Sequence, residues 1–385
     1  MLLILTLLLS ACFGVSSDTT QTTSTNENID SVNINDNTSS DSEPLQQSST
    51  SDALSSPLPG DFVIYFLDVG QGAAAFIMCD GDTMLIDGGD SHASNLIYSF
   101  LDRSGIDHLD YIINTHPHAD HVGGLSGALN RVSSLGKVLV SATEYDTRAF
   151  ESFVKYLDEH GAEMAIPNPG DTFMLGSAFV EILAPLKDYN DENNNSLVLK
   201  ITYGETSFLF KGDAERASEI DMVEAGLDLS ATVLKVSHHG SNTSTTYPFL
   251  REVMPEIAII SVGENNQHRH PHDDTLSRLR DAGVRIYRTD MQGDIIIRSD
   301  GLNLTIETQR NTDIPTNPTE NTDNQISLAD IDLDENTHTH IGNARSKKFH
   351  TLNCHTLPEE QNRVHLESRD HAIDNGFDPC GNCNP

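Results

Sequence analysis

Thr115-His116-Pro117-His118-Ala119-Asp120-His121-Val122-Gly123-Gly124 is the stretch that decides the fold of this chain. It follows directly on the apolar run 111–114 and holds His116, His118, Asp120 and His121, all side chains able to bind a metal. In extended backbone, residues two apart face the same side, so His116 and His118 can project together. Asp120 and His121 fall where a helix is expected to begin, at 122–125. A loop of this kind can aim two pairs of ligands at two neighbouring cations. Imidazole and carboxylate suit Zn²⁺ and similar ions. Gly123 and Gly124 permit a tight turn behind the ligands.

On either side of this loop, short apolar runs alternate with longer mixed segments. Strands are expected at 62–69, 83–86, 111–114, 137–140, 196–203, 206–210, 232–236, 256–260, 285–287 and 294–298. Helical periodicity fits 95–103, 148–160, 215–225, 246–253 and 275–282. Strands interleaved with helices over this length indicate a layered α/β domain. Chemistry-bearing residues stand at several strand ends. Asp87 ends the 83–86 run, Asp213 follows 206–210 after Lys211 and Gly212, and His238 and His239 follow 232–236. A carboxylate at Asp213 can bridge two ions.

His-x-His-x-Asp-His resembles the signature of the metallo-β-lactamase superfamily, and the resemblance extends over residues 61–308. More narrowly, the chain resembles the extracytoplasmic domain of the ComEC-like DNA-uptake proteins and the stand-alone lipoproteins similar to them. The stretches that carry this are Phe66-Leu67-Asp68-Val69-Gly70-Gln71-Gly72, Leu85-Ile86-Asp87-Gly88-Gly89, Lys211-Gly212-Asp213-Ala214-Glu215, Leu234-Lys235-Val236-Ser237-His238-His239-Gly240-Ser241 and His270-Pro271-His272. The resemblance implies a four-layer αββα sandwich with a dinuclear site at one edge of the sheets. It implies metal ligation by His116, His118, Asp120, His121, Asp213 and His239, with Zn²⁺ or Mn²⁺ as the pair of divalent ions. It also implies catalytic parts for Asp120, His238 and Asp87: His238 turned to the substrate to stabilise negative charge, and Asp87 orienting a ligand from outside the metal shell. The reverse assignment of His238 and His239 stays open. His270 and His272 are candidates to hold a phosphate or leaving group, or are ordinary loop histidines.

Two positions depart from the pattern. The stretch Asn193-Asn194-Asn195-Ser196-Leu197-Val198 has no histidine where many superfamily members supply a further ligand, a departure the ComEC-like group shares. That leaves His116, His118 and Asp213 for the first metal. Ala73 stands where the group usually has Asp. The mechanism expected from such a site is attack by a metal-bridging hydroxide, with the same ions polarising the scissile group. The family resemblance favours a phosphodiester, single-stranded DNA among them; the residues alone admit a lactone, ester or β-lactam equally. The competing reading is a surface DNA-binding protein with an inactive sandwich.

The chain has 385 residues and a formal net charge of −35. Such a charge repels phosphates and argues against a protein that coats nucleic acid with its whole surface. Hydrophobic residues make up 37%, low enough that part of the chain is not expected to pack. Residues 1–12 begin with an apolar run too short to span a bilayer and end in Leu9-Ser10-Ala11-Cys12. This resembles the lipobox of bacterial lipoproteins, which implies lipidation at Cys12 and an extracytoplasmic, membrane-anchored protein. Residues 13–59 are polar and lack Lys and Arg, as expected of a tether. Residues 60–309 form the hydrolase domain and 310–340 an acidic polar linker.

Residues 341–385 are nearly neutral and read as a separate module. His350-x3-Cys354 and Cys380-x2-Cys383 have the spacing of a structural zinc site. Together with Lys348-Phe349-His350, Asn362-Arg363 and Gly376-Phe377-Asp378-Pro379-Cys380, they resemble the small metal-binding domain of the Ada DNA-repair protein. His350 takes the place of the methyl-accepting cysteine, so the resemblance implies one structural Zn²⁺ without methyl transfer. A disulfide among these cysteines is the alternative in oxidising surroundings. Cys79 reads as a buried core thiol. The basic cluster Arg345, Lys347 and Lys348 suits either nucleic-acid contact or a solvated face.

Overall fold

The computed structural model describes residues 62–311, 314–316 and, from 340 to 385, all but 353, 355, 359–361, 367, 382 and 384. The expected signal peptide with Cys12, the tether 13–59 and most of the linker 310–340 lie outside the described residues. No helix among the described residues is long and apolar enough to cross a membrane.

Fifteen strands form two sheets. The first contains β1 (Phe62–Phe66), β2 (Ala75–Cys79), β3 (Asp82–Ile86), β4 (His108–Asn114), β5 (Ser134–Val140), β6 (Met164–Ala165), β14 (Ile295–Ser299) and β15 (Leu304–Thr308), in the order β15-β14-β1-β2-β3-β4-β5-β6. The second contains β7 (Thr172–Leu175), β8 (Ala178–Ala184), β9 (Val198–Tyr203), β10 (Thr206–Phe210), β11 (Val233–Lys235), β12 (Ile257–Ile260) and β13 (Arg285–Arg288), in the order β13-β12-β11-β10-β9-β8-β7. β3, β4 and β5 run parallel, as do β10 to β13. Parallel strands need crossovers, and helices supply them. Helices α1 (Ser94–Arg103), α2 (Ala119–Val122), α3 (Leu125–Arg131) and α4 (Arg148–His160) belong to the first half of the chain. Helices α5 (Arg216–Glu224), α6 (Tyr247–Val253), α7 (Asp273–Asp281) and α8 (Thr289–Gln292) belong to the second.

Three apolar layers hold the sandwich together, and strand alternation explains them. In β1, Phe62, Ile64 and Phe66 face the second sheet and meet Phe208, Phe210, Val180 and Ile201 there. Val63 and Tyr65 point the other way, into the layer with Ile97, Phe100, Leu129 and Phe153 of the helices. On the far face of the second sheet, Leu209, Leu234 and Ala258 pack on Met222, Phe249 and Leu279. Strands buried on both faces read as continuous apolar runs. The expected αββα architecture holds.

The expected elements match most of the observed ones, with informative differences. The run 62–69 ends as a strand at Phe66, because residues 67–74 turn back onto the ligand loop. The run 196–203 starts as a strand only at Val198, since the Ser196 hydroxyl is used elsewhere. β2, β6, the hairpin β7–β8 and β15 are not among the runs read from sequence. β6 has two residues, and the strands β7 and β15 show their polar and apolar residues to half-exposed surfaces, where periodicity is faint.

At the C-terminus, β16 (His340–Asn343), β17 (Lys348–Thr351), β18 (Arg363–Leu366) and β19 (Asp378–Pro379) form a small sheet in the order β18-β16-β17-β19. It is joined by helix α9 (Arg369–Asp374), and Phe349, Leu366, Ala372 and Phe377 pack with Tyr247 of the sandwich.

Candidate metal centre

β4 ends at Asn114, and the next residues cross the rim of the sheet into α2. His118 caps α2 in extended backbone, which places His116 and His118 before the helix and Asp120 and His121 in its first turn. The preceding motifs lace this loop in place. Ala73 N–H donates to the Asp120 carbonyl (3.1 Å) and Gly88 N–H to the His121 carbonyl (2.7 Å). Gly72, at φ +151°, lies so close that a Cβ there would sit 2.5 Å from the Asp120 carbonyl oxygen. Glycine is required by both conformation and space.

Five side chains converge in two overlapping groups that share His121. His116, His121 and Asp213 present ligand atoms within 4.8 Å of one another, and so do Asp120, His121 and His239. His121 Nε2 is 3.3 Å from Asp213 Oδ1, and His116 Nε2 is 3.8 Å from Asp213 Oδ2. His239 Nε2 is 3.2 Å from Asp120 Oδ2 and 3.6 Å from Asp213 Oδ2. His118 Nδ1 lies 3.0 Å from His116 Nε2. Asp213 thus stands between the two groups. Its position comes from Gly212 in left-handed backbone (φ +47°) and from Ser196, whose hydroxyl accepts the Asp213 N–H at 3.1 Å.

The far nitrogens of the imidazoles are held from behind. His121 Nδ1 donates to Asp87 Oδ2 at 2.8 Å, and His239 Nδ1 donates to the Ser261 carbonyl at 2.9 Å. Asp87 also accepts from Thr115 N–H (2.8 Å), Thr115 Oγ1 (2.7 Å) and Asn114 Nδ2 (3.2 Å). Such contacts fix the ring orientation and tautomer and leave Nε2 free as a donor to metal. His238 is held differently. Its Nδ1 pairs with Glu215 Oε1 at 2.8 Å, its ring is partly exposed, and its Nε2 lies 3.9 Å from Asp213. His238 and His239 both adopt left-handed backbone, φ +49° and +52°, and their rings stand 6.2 Å apart at 74° to each other.

The electrostatics favour a cation. Burial, reinforced by the charge on His121, holds His116 well below the ordinary histidine value, so it is a neutral donor. Burial works against ionised Asp213, yet the facing His121 and His239 hold its carboxyl well below the usual range. Burial opposes charge on His121 too, but the Asp213 and Asp87 carboxylates raise its pKa well above the ordinary value. Buried carboxylates and imidazoles of this density fit a divalent ion of the zinc class. For His238, burial lowers the pKa, and Glu215 together with Asp213 more than restores it.

The structure also places residues that sequence reasoning missed. Glu215, Ser196 and the Ser261 carbonyl support His238, Asp213 and His239 respectively. Asn194 Oδ1 accepts from Glu215 N–H (3.2 Å) and Ser218 N–H (3.1 Å), securing the start of α5. Asn195 turns away from the cluster and bonds Tyr189 instead. Only the proximity of Glu215 to Asp213 in sequence hinted at any of these. Ala73 borders a cavity of about 10 Å³ that Asp87, Thr115, Gly212 and Lys235 also line. Burial, opposed by Asp213 and Asp87, pushes the Lys235 amine down to about 8. In the 268–272 loop, His272 is used internally: Nδ1 accepts from Asn242 N–H (3.0 Å), and Nε2 faces the His268 carbonyl (3.2 Å). His270 stands ring to ring with His238 (5.4 Å) and His239 (6.3 Å), and its Nδ1 is buried without a partner. Burial, then His272 and His238, lowers its pKa to about 3.

A second cluster lies in the C-terminal sheet, where His350, Cys354, Cys380 and Cys383 converge within 4.8 Å. His350 Nδ1 is 3.3 Å from Cys354 Sγ. Cys79, Cys354, Cys380 and Cys383 form no disulfide among the described residues. The cluster is compatible with a zinc module.

With this geometry in view, the comparison with protein families is decisive: residues 67–264 match the metallo-beta-lactamase superfamily. The chain belongs to that superfamily. It is a metal-dependent hydrolase of the metallo-β-lactamase fold, and the fold implies divalent metal binding. Among relatives, ComE operon protein 3 of Bacillus subtilis (strain 168) is 30% identical over 251 residues, 60% of this chain and 32% of that protein. Competence protein ComA of Neisseria gonorrhoeae is 31% identical over 229 residues, 59% of this chain and 30% of that protein. Recombination protein 2 of Haemophilus influenzae is 30% identical over 236 residues, 60% of this chain and 28% of that protein. The chain therefore spans about a third of the length of the curated relatives it matches. Over the matched stretches the chain is similar to these proteins, a competence protein and a recombination protein among them.

Proposed function

We propose that this metallo-β-lactamase-fold chain hydrolyses phosphodiester bonds, with single-stranded DNA as the substrate to test first. The observation that carries the reading is the convergence of His116, His121, Asp213, Asp120 and His239 in two overlapping groups with His118 beside His116. In this reading His116, His118 and Asp213 hold one divalent ion, and Asp120, His121, His239 and the shared Asp213 hold another, with Zn²⁺ or Mn²⁺ as the metal. The bound ions supply Lewis acidity, which ionises water near neutral pH and polarises the group under attack.

The chain's own residues do the rest. Asp87 orients His121, and the Ser261 carbonyl orients His239. Asp120, partly exposed beside His239, can also steer the proton of an attacking water. His238, paired through Nδ1 with Glu215 and partly exposed, stabilises negative charge that develops on the substrate. The names of the competence relatives support a DNA substrate. His350, Cys354, Cys380 and Cys383 hold a further, structural zinc ion, and the 341–385 module is a domain of its own after the 60–309 hydrolase domain. Lipidation at Cys12 anchors the protein outside the cytoplasm.

The test is to incubate metal-loaded protein with single-stranded DNA, bis-p-nitrophenyl phosphate and a panel of lactones and β-lactams. Cleavage of the first two, abolished by His116→Ala, is the expected result. DNA and diester left intact under both Zn²⁺ and Mn²⁺, with a lactone or β-lactam opened, would reject the phosphodiester reading.

A further inference from the structure

The turn carrying His238 and His239 is conformationally costly. His238, His239 and Gly240 are consecutive residues at positive φ, +49°, +52° and +86°. Two of them bear Cβ atoms, and such backbone persists only where its surroundings over-determine it. Within the sandwich the far end of the turn is held by His272, whose N–H donates to the Gly240 carbonyl (2.9 Å) and whose Nδ1 accepts from the Asn242 N–H (3.0 Å), and by α7. Ser241 and Asn242 expose their carbonyls to α7, where Thr275 Oγ1 donates to the Ser241 carbonyl (2.8 Å). Arg278 Nη2 donates to the Asn242 carbonyl (3.2 Å) and to Thr275 Oγ1 (3.1 Å).

Arg278 is fully buried, and its Nε and Nη1 find no hydrogen-bond partner. A buried guanidinium needs a counter-charge. The C-terminal sheet supplies it: Asp378 Oδ1 lies 3.9 Å from Arg278 Nη1, and Asp378 Oδ2 pairs with Arg216 Nη2. Arg216 is joined to the same turn from the other side, since its N–H donates to the Thr243 carbonyl (3.1 Å) and it follows Glu215, the partner of His238. A parallel strut runs from Lys348 Nζ to Asp274 Oδ2 (2.9 Å), which accepts from Asn242 Nδ2 (3.4 Å). Both struts leave the C-terminal sheet two residues from its candidate zinc ligands: Lys348 before His350, and Asp378 before Cys380. β17 and β19 tie them together, with Cys380 N–H donating to the Phe349 carbonyl (2.8 Å).

We propose that Asp378 is a positioning residue for the central metal site, acting through Arg278 and Arg216 on the turn that presents His238 and His239. The C-terminal module is then more than an appendage: it braces one wall of the hydrolase site, and Lys348 serves as its second brace. This rests on the reading of the central cluster as the metal site.

The test uses the full chain. Asp378→Asn keeps the volume of the side chain and removes its charge. Zn²⁺ affinity of the central site is measured by chelator competition, and amide hydrogen exchange across 238–243 is followed in metal-free protein. The expected result is a central affinity about tenfold weaker, as for loss of a partner that supports a ligand from outside the metal shell. Exchange at Ser241 and Asn242 is faster, the metal at His350, Cys354, Cys380 and Cys383 is retained, and Asp378→Glu restores part of the loss. Wild-type affinity and wild-type exchange in Asp378→Asn would overturn the proposal. Should that variant fail to fold, Arg216→Gln removes the link to Asp378 from the sandwich side, and unchanged exchange at Ser241 and Asn242 together with unchanged affinity would overturn the proposal equally. A wild-type chain that takes no metal centrally would sink the metal-site reading, and the exchange measurement would still decide whether Asp378 braces the turn.

Discussion

Asp87→Asn probes the site most economically, because Asp87 touches no metal in this account and yet four donors meet on its carboxylate. Its oxygens accept from Thr115 N–H, Thr115 Oγ1, Asn114 Nδ2 and His121 Nδ1 at 2.8, 2.7, 3.2 and 2.8 Å. An asparagine keeps the shape but replaces one oxygen by an NH₂. If that NH₂ takes the place of Oδ2, it meets two donors, Thr115 Oγ1 and His121 Nδ1; the hydroxyl can turn to accept, so the His121 hydrogen bond is the one lost, and the charge is lost in either orientation. A hydrogen bond to a charged group contributes roughly 1.5–3 kcal/mol, and about 1.4 kcal/mol is a factor of ten in affinity. The expected result is therefore a central metal affinity weaker by about 10- to 100-fold, within the range typical for loss of such supports. The loss falls on the ion that His121 helps to hold. Chelator-competition titration of Asp87→Asn against wild type, with circular dichroism as a check on folding, reads the effect. A folded variant whose affinity stays within about twofold of wild type would refute the reasoning that Asp87 works by holding His121.

Three further outcomes follow from the same geometry. His239→Ala should lose one equivalent of central metal, whereas His238→Ala should keep both and lose about 10²-fold in kcat, as for removal of a charge-stabilising donor; elemental analysis with steady-state kinetics separates them, and metal loss in His238→Ala would reverse the assignment. Glu219 is fully buried and accepts from Lys211 Nζ and from the Thr246 N–H (2.9 Å), so Glu219→Gln should destabilise the fold by about 3–5 kcal/mol in denaturant melts, the cost of leaving a buried charge without its partner. Burial opposes ionisation of Glu219, but the Lys211 ammonium holds its carboxyl below the ordinary value of 4.5, so its stabilisation is present above that pH and lost as pH falls through the depressed value; an acid melt should show this loss in wild type and not in the variant. Gly72→Ala should push the ligand loop outward and cost about 1–3 kcal/mol of stability, since the new Cβ would lie 2.5 Å from the Asp120 carbonyl; a melting temperature equal to wild type would count against that packing.

Much of the fold was legible because the strands of a doubly covered sheet are apolar on both faces. Phe62-Val63-Ile64-Tyr65-Phe66 could scarcely lie anywhere but in the interior, and the amphipathic 148–160 stretch forms α4 over the same residues. The hairpin β7–β8 was not legible, because its strands carry exposed Met174 and Phe179 and alternate only weakly. At the site, the ligand types were visible because His116, His118, Asp120 and His121 stand close in sequence. The supports were not visible. Ser261 contributes a backbone carbonyl, which any residue has, and Ser196 and Asn194 act on a loop that follows them by some twenty residues. Likewise the pattern of cysteines pointed to a metal-binding module, but nothing in the spacing told that Asp378 would meet Arg216 and Arg278. Contacts between distant segments leave no periodicity to read.

The central claim is that the histidines and aspartates after β4, β10 and β11 grip a pair of divalent ions. Metal analysis of protein purified without chelators, combined with anomalous diffraction from the same preparation, tests it most directly. The account predicts two ions between His116, His118, Asp120, His121, Asp213 and His239, and another among His350, Cys354, Cys380 and Cys383. Anomalous density at the cysteines with none at the central histidines, after reconstitution with Zn²⁺ and Mn²⁺, would contradict it.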